Sequence, residues 1–320
     1  NENGCEYCLL LHDTESSNIE SNYFKYQNRH WNTDQGSSAD LVSYASISND
    51  SIHIVNNIFD HFGSDYNNNE KPVIKVLGNN GSVNIHSNTI TARPANNQSR
   101  ELHIQPIIIQ KDNSTLSMKN NNINVNTNSG AVVINFIDSC RFEGNNIIQT
   151  GEGPFLDSHA SLIELYNNNF TRTRGHYYSI KASNSYLDAK YNNITTTGDG
   201  IFVGNQSTGE LRNNTIISTG YISNGELTTA QAGIRQEGNT NVPAFNNIIQ
   251  GYVTGVSVDN TIQNYNLNNN LFWDITDNLF DGTAVPPLAG QLIDENSNGD
   301  PSDIYSNIFL DPAFIDYQNA

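Results

Sequence analysis

The chain has 320 residues and carries 15 Lys and Arg against 33 Asp and Glu, a formal net charge of −18. Such a balance leaves no basic stripe to neutralise phosphates, which argues against nucleic-acid partners and anionic membrane surfaces. No apolar run approaches the roughly 18 residues that a membrane-spanning helix needs, so membrane insertion is not expected either.

The first 40 residues are the least regular part of the sequence. They contain one asparagine-led turn, Asn22-Tyr23-Phe24, followed by a polar tract at 32–40. We interpret residues 1–40 as an N-terminal cap and a first repeat unit, because the open end of a strand stack exposes unpaired backbone that must be covered. Cys5 and Cys8 have no second cysteine pair and no adjacent His, which leaves a short-loop disulfide or no bond at all.

A short phrase, asparagine before a hydrophobic residue, returns along the whole chain. Its most regular copies are at Asn122, Asn146, Asn169, Asn193 and Asn214, separated by 24, 23, 24 and 21 residues. Copies with longer steps flank this run at Asn22, Asn57, Asn88, Asn247, Asn270 and Asn307. A near-constant spacing in this range indicates a solenoid. The copies predict about eleven coils. We expect residues 41–320 to form one continuous domain, in which the longer steps between asparagines contain inserted loops.

The residues between these turns indicate strands. A coil of about 22 residues is shorter than a helix-pair repeat of about 34 residues, and β-branched runs such as Ile107–Ile109 and 131–134 are bounded by Asn, Gly, Asp and Ser. The sequence therefore predicts an all-β, single-stranded, right-handed parallel β-helix. Because Asn suits tight turns, we expect the five regularly spaced asparagines to stack at one corner, within coils covering residues 41–272.

These turns resemble those of the pectate-lyase-like right-handed parallel β-helix superfamily over nearly the whole chain. The segment from Asn270-Leu271-Phe272-Trp273 to Ile315-Asp316 is similar to the last coils of secreted bacterial β-helix repeat proteins. That resemblance implies an extracellular or cell-surface location. It also implies that further chain or a neighbouring subunit packs near Phe309 and Phe314, since such proteins usually continue beyond the position of Ala320. Expected partners are other copies, other surface proteins or polysaccharide.

In this superfamily the ligand groove usually follows one parallel sheet, so its outward side chains are candidate contacts. Counting back from each turn asparagine and alternating inward and outward positions predicts one outward column. Its members are Lys75, Gln110, Asn135, Asp157, Lys181, Val203, Arg235 and Asp259. A polar column of this kind is also what any soluble β-helix presents to water.

One coil concentrates a His, two Tyr and a Lys in the run from His176 to Lys181. It resembles the Lys-bearing strand of the chondroitinase-B and alginate-lyase branch, which implies that Lys181, with His176, would act as the base on a uronic-acid polymer. That branch has an Arg one coil further on, where we expect Val203. Elimination needs the carboxylate charge neutralised by a cation or metal. The candidate substrate contacts are His176, Tyr177, Tyr178, Lys181, Asp157 and Arg235.

The C-terminal region contains an acidic tract with Asp294, Asn296, Asn298 and Asp300. Oxygen side chains at alternate positions followed by Gly299 resemble the first half of a calcium loop. The twelfth position is Tyr305, where a bidentate Glu would be needed. The tract is therefore either a calcium site or a plain acidic turn.

Two functional hypotheses from different classes follow. The first is a non-catalytic extracellular β-helix that serves as a structural, adhesive or filament and surface-assembly subunit and contacts glycans. The second is a polysaccharide lyase acting on a uronic-acid polymer, with Lys181 as base and calcium as the neutralising charge. The missing Arg favours the first, and a glycoside hydrolase is disfavoured because Asp157 has no second carboxylate beside it.

Overall fold

The computed structural model describes residues 10–12, 16–27, 42–46, 51–63, 72–94, 105–223, 226–260 and 265–312. Within these ranges the chain forms strands and turns and contains no α-helix. Equivalent strands of successive coils pair in parallel, so the protein is a parallel β-helix and the predicted fold class is confirmed. Two antiparallel hairpins depart from this pattern, Tyr221–Ser223 with Glu226–Thr228 and Asp294–Glu295 with Pro301–Ser302.

Each complete coil contributes three strand segments, which build three faces that we call the first, second and third sheets. The first sheet contains Leu10–His12, Val42–Ser46, the starts of Ile74–His86 and Ile107–Lys119, Val132–Asn135, Leu156–His159, Ile180–Ser183, Ile201–Gly204, Ala230–Gly238, Tyr252–Asn260 and Asn278–Asp281. The second contains Ser16–Glu20, Ser51–Val55, the ends of Ile74–His86 and Ile107–Lys119, Ser139–Glu143, Leu162–Tyr166, Tyr186–Lys190, Thr208–Arg212, Ala244–Phe245 and Leu267–Asn268. The two sheets are continuous, since two long strands run through both.

The third sheet follows the asparagine turn in every coil. It contains Tyr23–Gln27, Ile58–Gly63, Thr89–Pro94, Asn122–Val125, Asn146–Gln149, Asn169–Arg172, Asn193–Thr196, Thr215–Ser218, Ile248–Gln250 and Leu271–Trp273. An isolated parallel bridge from Leu271 to Ile308 extends the stack to the next turn. The strands between residues 10 and 27 pair with the following coil on all three faces. The domain boundary at residue 40 stays a prediction.

The core fills the interior of the coil stack, because alternate side chains of every strand point inward. The parallel register places like residues directly above one another, so that aliphatic side chains form continuous columns. One such column is Val132, Leu156, Ile180, Ile201 and Ile234, all buried. Cys140 is fully buried among these apolar groups, as expected for a small hydrophobe, and burial raises the pKa of its thiol. Cys5 and Cys8 lie outside the described residues.

A buried ladder of asparagines supports one corner along the whole stack. In a typical rung, Nδ2 of Asn145 donates to Oδ1 of Asn168 (2.9 Å) and to the carbonyl of Met118 (2.9 Å), while its backbone N–H donates to the same Oδ1 (3.0 Å). The left-handed conformation belongs to the residue just before the ladder asparagine, as at Asn120 (φ 54°) and Asn167 (φ 53°). Each ladder side chain therefore satisfies the backbone of a tight turn.

The predicted stacking of five asparagines is wrong at one position. Asn122, Asn146, Asn169 and Asn193 do stack, in a solvent-facing column whose amides bond at 3.1, 2.9 and 3.2 Å. Asn193 pairs in register with Thr215, however, while Asn214 continues the buried ladder from Asn192. In the first four copies the first asparagine of the pair points inward and the second outward, whereas in the fifth copy Asn214 points inward and Thr215 takes the outward position.

Candidate functional site

The parallel register fixes which side chains of the first sheet form its outward column. Asp157 aligns with Lys181, then with Phe202 and Arg235 in the two following coils. Ile108 and Val133 precede Asp157 in the same column, and Lys75 aligns with Ile108.

The predicted column was therefore partly wrong. Gln110, Asn135 and Asp259 lie two positions further along their strands, in a second outward column. Val203 is fully buried and points inward. The error arises because the loops between the anchor asparagine and the first-sheet strand differ in length from coil to coil.

Asp157 and Lys181 form an ion pair between adjacent coils. The Lys181 Nζ lies 3.3 Å from Oδ1 and 3.5 Å from Oδ2 of Asp157. Their side chains are 35% and 40% exposed, so both polar ends remain within reach of a ligand.

An aromatic loop, residues 173–178, leads into the Lys181 strand. The His176 and Tyr177 rings stack with centroids 4.5 Å apart, and Tyr177 is 53% exposed. The Tyr178 ring packs on Phe202 at 4.4 Å. Burial raises the pKa of the Tyr178 hydroxyl. The loop thus presents one free aromatic face at Tyr177 and a second that is seated on the next coil.

A surface pocket of about 370 Å³ lies beside this loop. Its described walls are Gln105, Asn128, Ser129, Gly130, Gly153, Pro154, Asp157, Tyr177, Tyr178 and Lys181. Four of the six predicted contact residues therefore line one cavity. His176 does not line the pocket but stacks on Tyr177, which does. Arg235 is two coils beyond Lys181, does not line the pocket, and pairs with Glu237 at 2.6 Å.

The shape of the aromatic loop is held from the interior by Arg172. This side chain is fully buried, and its guanidinium donates to the carbonyls of Tyr177, Tyr178 (3.2 Å) and Gly153 (3.5 Å). Its Nε donates to Thr196 Oγ1 at 3.1 Å. Arg172 therefore joins two walls of the pocket that come from successive coils.

Arg172 shares its interior region with a second buried charge. Burial lowers the pKa of Arg172 to about 10, and the negative charge of Asp199 acts against that lowering. Burial also raises the pKa of the Asp199 carboxyl, which accepts backbone N–H groups of Gln231 (2.8 Å) and Ala232 (3.2 Å). The negative charge of Asp199 therefore offsets part of the cost of burying Arg172.

Sequence reasoning missed Arg172 and the walls that come from earlier coils. Arg172 follows the hydrophobic Phe170 by two residues, so strand alternation places both side chains inward, and a charge at an inward position was the available signal. For the walls, Ser129-Gly130 and Gly153-Pro154 stand just before successive first-sheet strands. Their small size lets neighbouring coils stack closely, since a Cβ added at Gly153 would overlap the Ser129 carbonyl.

The site differs from the lyase pattern at the coil after Lys181. The structure places Phe202 beside Lys181, where the sequence interpretation placed Val203, and neither side chain is a cation. The next cation in this column is Arg235, which is bonded to Glu237. In the part of the chain that the structure describes, no group of three or more His, Cys, Asp or Glu is arranged to hold a metal ion.

The predicted calcium tract forms the turn of the C-terminal hairpin. Oδ1 of Asn296 accepts the backbone N–H groups of Asn298 and Asp300, both at 2.9 Å. Nδ2 of Asn296 donates to Asp300 Oδ2 at 2.8 Å. These contacts account for the turn by local hydrogen bonding. Calcium binding by Asp294, Asn296, Asn298 and Asp300 stays a prediction.

Comparison with known proteins adds little to this geometry. No protein-family model matches the chain, and no curated protein sequence matches it. Among solved structures it is similar to PfbA, a surface adhesin of Streptococcus pneumoniae, with 10% identity, 82% of this chain and 83% of that chain covered, and a TM-score of 0.26. The fold assignment rests on the chain's own strand pairing.

The described residues contain no helix long and apolar enough to cross a membrane.

Proposed function

We propose that this chain is a non-catalytic β-helix of the cell exterior that contacts polysaccharide through the first-sheet pocket and serves as a structural or adhesive subunit. The observation that carries the proposal is the pocket itself, where Tyr177 and Tyr178 stand beside Asp157 and Lys181. Ligand sites typically combine aromatic walls with a few convergent polar groups in cavities of about 300–1,000 Å³.

The chemistry of these side chains suits a sugar. Tyr177 offers an exposed ring face against which the C–H face of a sugar can pack, and tyrosine combines an apolar body with a polar end. The carboxylate of Asp157 accepts hydrogen bonds from hydroxyl groups, and the ammonium of Lys181 donates them. Because Arg172 holds the aromatic loop from inside, little ordering is needed when a ligand binds.

Polysaccharide lyase activity is the second hypothesis from the sequence, and the pocket geometry supports it less well. The Lys181 nitrogen is engaged by Asp157, and Phe202 occupies the next position in the column. An eliminating enzyme would need a positive charge on the substrate carboxylate at that point.

The proposed structural role includes assembly with other copies or with other surface proteins. The strand Asn278–Asp281 pairs with Tyr252–Asn260 along one edge, and within the described ranges no strand pairs with its other edge. Unpaired strand edges favour pairing with another chain. Near the same end, the Phe309 ring stacks on Phe272 at 6.1 Å, whereas Phe314 lies outside the described residues.

Retention of the purified protein by polysaccharides in affinity electrophoresis tests the binding function. We expect retention by at least one polymer in a panel of neutral and acidic polysaccharides. Joint replacement of Tyr177 and Tyr178 by Ala should weaken it about tenfold, equivalent to roughly 1.4 kcal/mol. Joint replacement of Tyr166 and Tyr191, an exposed tyrosine pair at the end of the second-sheet strands, is the matched control and should leave it unchanged. No retention, or equal losses in both variants, would overturn the proposal.

Incubation with alginate, chondroitin and pectate, followed by ultraviolet absorbance of unsaturated products, tests the lyase hypothesis. We expect no sustained rise in absorbance. A rise that Lys181→Ala abolishes would replace the binding function with the enzymatic one.

A further inference from the structure

We infer that the first-sheet pocket selects an uncharged sugar unit over a uronate. The inference rests on the proposed function and names the ligand class of the same site. Its starting point is the pair formed by Asp157 and Lys181, whose charges cancel at a separation of 3.3 Å.

The described pocket walls have no net charge. Of the ten side chains and backbone segments that line the cavity, only Asp157 and Lys181 are charged, and none is an arginine. Recognition of carboxylates usually relies on arginine or lysine groups that are free to form charge-assisted hydrogen bonds. Here the single cation is already bonded to a carboxylate.

Two unfavourable contributions to the binding free energy would oppose a uronate in this pocket. Its carboxylate would lose water without gaining an uncompensated cation. It would also lie close to Asp157, a like charge in a partly enclosed space. The net charge of −18 on the chain adds a repulsion towards long anionic polymers, although salt screens this term beyond about 10 Å.

A neutral sugar finds matching groups in the same cavity. Neighbouring hydroxyls can donate to the two oxygens of Asp157 and accept from Lys181, while Asn128, Ser129 and Gln105 supply further uncharged polar atoms. Neutral hydroxyls bring no charge to desolvate, so the ion pair need not separate.

Gly130 lets the backbone pass close to the base of the Asp157 side chain. A Cβ added at Gly130 would lie 3.1 Å from Cγ2 of Val133 and 3.4 Å from Cβ of Asp157. The first of these is tighter than ordinary van der Waals contact, so a larger residue at position 130 would push against Val133 and against the base of the Asp157 side chain. Glycine at this position therefore leaves the place of Asp157 in the pocket wall undisturbed.

Matched polymers that differ only in charge test the inference. Pectate and alginate would each be compared with their carboxyl-reduced forms, alongside neutral glucan and xylan, by retention in affinity electrophoresis. We expect the reduced or neutral polymers to bind at least tenfold more tightly than the uronates. Retention of a uronate equal to or stronger than its reduced form would overturn the inference while leaving glycan binding intact, whereas retention of no polymer would overturn the proposed function with it.

A charge variant makes the test independent of the natural polymer. Asp157→Asn frees the Lys181 ammonium within the pocket and should raise affinity for the uronates several-fold relative to their reduced forms. Glu237→Gln is the matched control, because it frees Arg235 in the same column but outside the pocket. An equal gain in both variants, or no gain with Asp157→Asn, would contradict the role assigned to the ion pair.

Discussion

The first and second sheets are built on the same coils yet present different outer surfaces. On the second sheet, charged side chains pair both between successive coils and along single strands. The pairs between coils are Lys119–Glu143 (3.0 Å), Arg141–Glu164 (3.8 Å) and Lys190–Glu210 (2.7 Å), and the pairs within one strand are Lys190–Asp188 (2.8 Å) and Arg212–Glu210 (3.0 Å). On the first sheet, apolar or aromatic residues such as Val133 and Phe202 interrupt the outward column on either side of one ion pair.

The same backbone repeat thus builds two kinds of surface: one on the second sheet that adds stability, and one on the first sheet that can bind a ligand. Where neighbouring coils satisfy each other's charges, the surface has few groups left for a ligand. Where the charge pattern is interrupted, as around Asp157 and Lys181, an uneven surface with a pocket remains. Function should therefore depend on the first sheet, and the second sheet should contribute solubility and modest stability.

Removing Arg172 should have the largest effect, because this side chain bonds the aromatic loop beside the first sheet. Arg172→Met leaves the carbonyls of Tyr177 and Tyr178 without their donor. It should lower the free energy of unfolding by about 3–5 kcal/mol. Urea unfolding measures this loss, and mapped chymotrypsin digestion of the folded protein should show faster cleavage after Tyr177 and Tyr178.

A second buried donor elsewhere in the stack provides the control for Arg172. Gln236→Met removes a hydrogen bond to the Val242 carbonyl (2.6 Å) at a site outside the pocket. It should destabilise the protein without new cleavage in the aromatic loop. Similar cleavage in both variants would mean that Arg172 acts only on global stability.

Breaking the asparagine ladder should weaken both sheets together. Asn168→Ala removes side-chain bonds to Asn192 (2.9 Å) and Phe142 (3.1 Å), and it removes the oxygen that accepts the backbone N–H of Asn145 (3.0 Å). We expect a loss of about 2–3 kcal/mol in the free energy of unfolding. Asn169→Ala, one residue further in the solvent-facing column, should lose less than about 1 kcal/mol. Equal losses would contradict the distinction between the two columns.

Acidification should destabilise the interior at a higher pH than the pH at which it breaks the second-sheet ion pairs. Burial lowers the pKa of His61 to about 4, below its ordinary value of 6.5. The unfolded chain therefore takes up the proton first, and stability should fall by about 2–3 kcal/mol between pH 6.5 and 4.5.

The second-sheet carboxylates should respond only at lower pH. Bonding to Lys119 and Lys190 lowers the pKa values of Glu143 and Glu210, so their contribution is lost below their ordinary range. Unfolding curves at several pH values should show a shallower acid slope above pH 4.5 in His61→Leu. An unchanged slope would place the sensitive group elsewhere.

The smallest effect is expected on the second sheet itself. Lys190→Met breaks bonds to Asp188 and Glu210, but the side chain is partly exposed and salt screens the interaction. We expect a loss of less than about 1 kcal/mol that shrinks in high salt, and unchanged polysaccharide retention. A larger loss of retention than that caused by Tyr177→Ala would reverse the roles of the two sheets.

The fold could be predicted from the sequence because the turn asparagine repeats at nearly constant spacing and each copy satisfies the same backbone groups. The two members of each asparagine pair are chemically identical, so the pattern did not show which one points inward, and Asn214 was assigned to the wrong column. Variable loop lengths likewise shifted the register between Phe202 and Val203. The pocket escaped prediction because its walls come from coils some 24 residues apart in sequence.

Hydroxyl-radical footprinting with a retained polysaccharide tests the division between the sheets most directly. Tyr177, in the aromatic loop beside the first sheet, and Tyr191, in the turn after the second-sheet strand Tyr186–Lys190, are 53% and 52% exposed, so their oxidation rates in the free protein should be similar. We predict that bound polysaccharide lowers oxidation of Tyr177 several-fold and leaves Tyr191 and Tyr166 unchanged. Protection of Tyr166 and Tyr191 with Tyr177 still reactive would contradict the assignment of recognition to the first sheet.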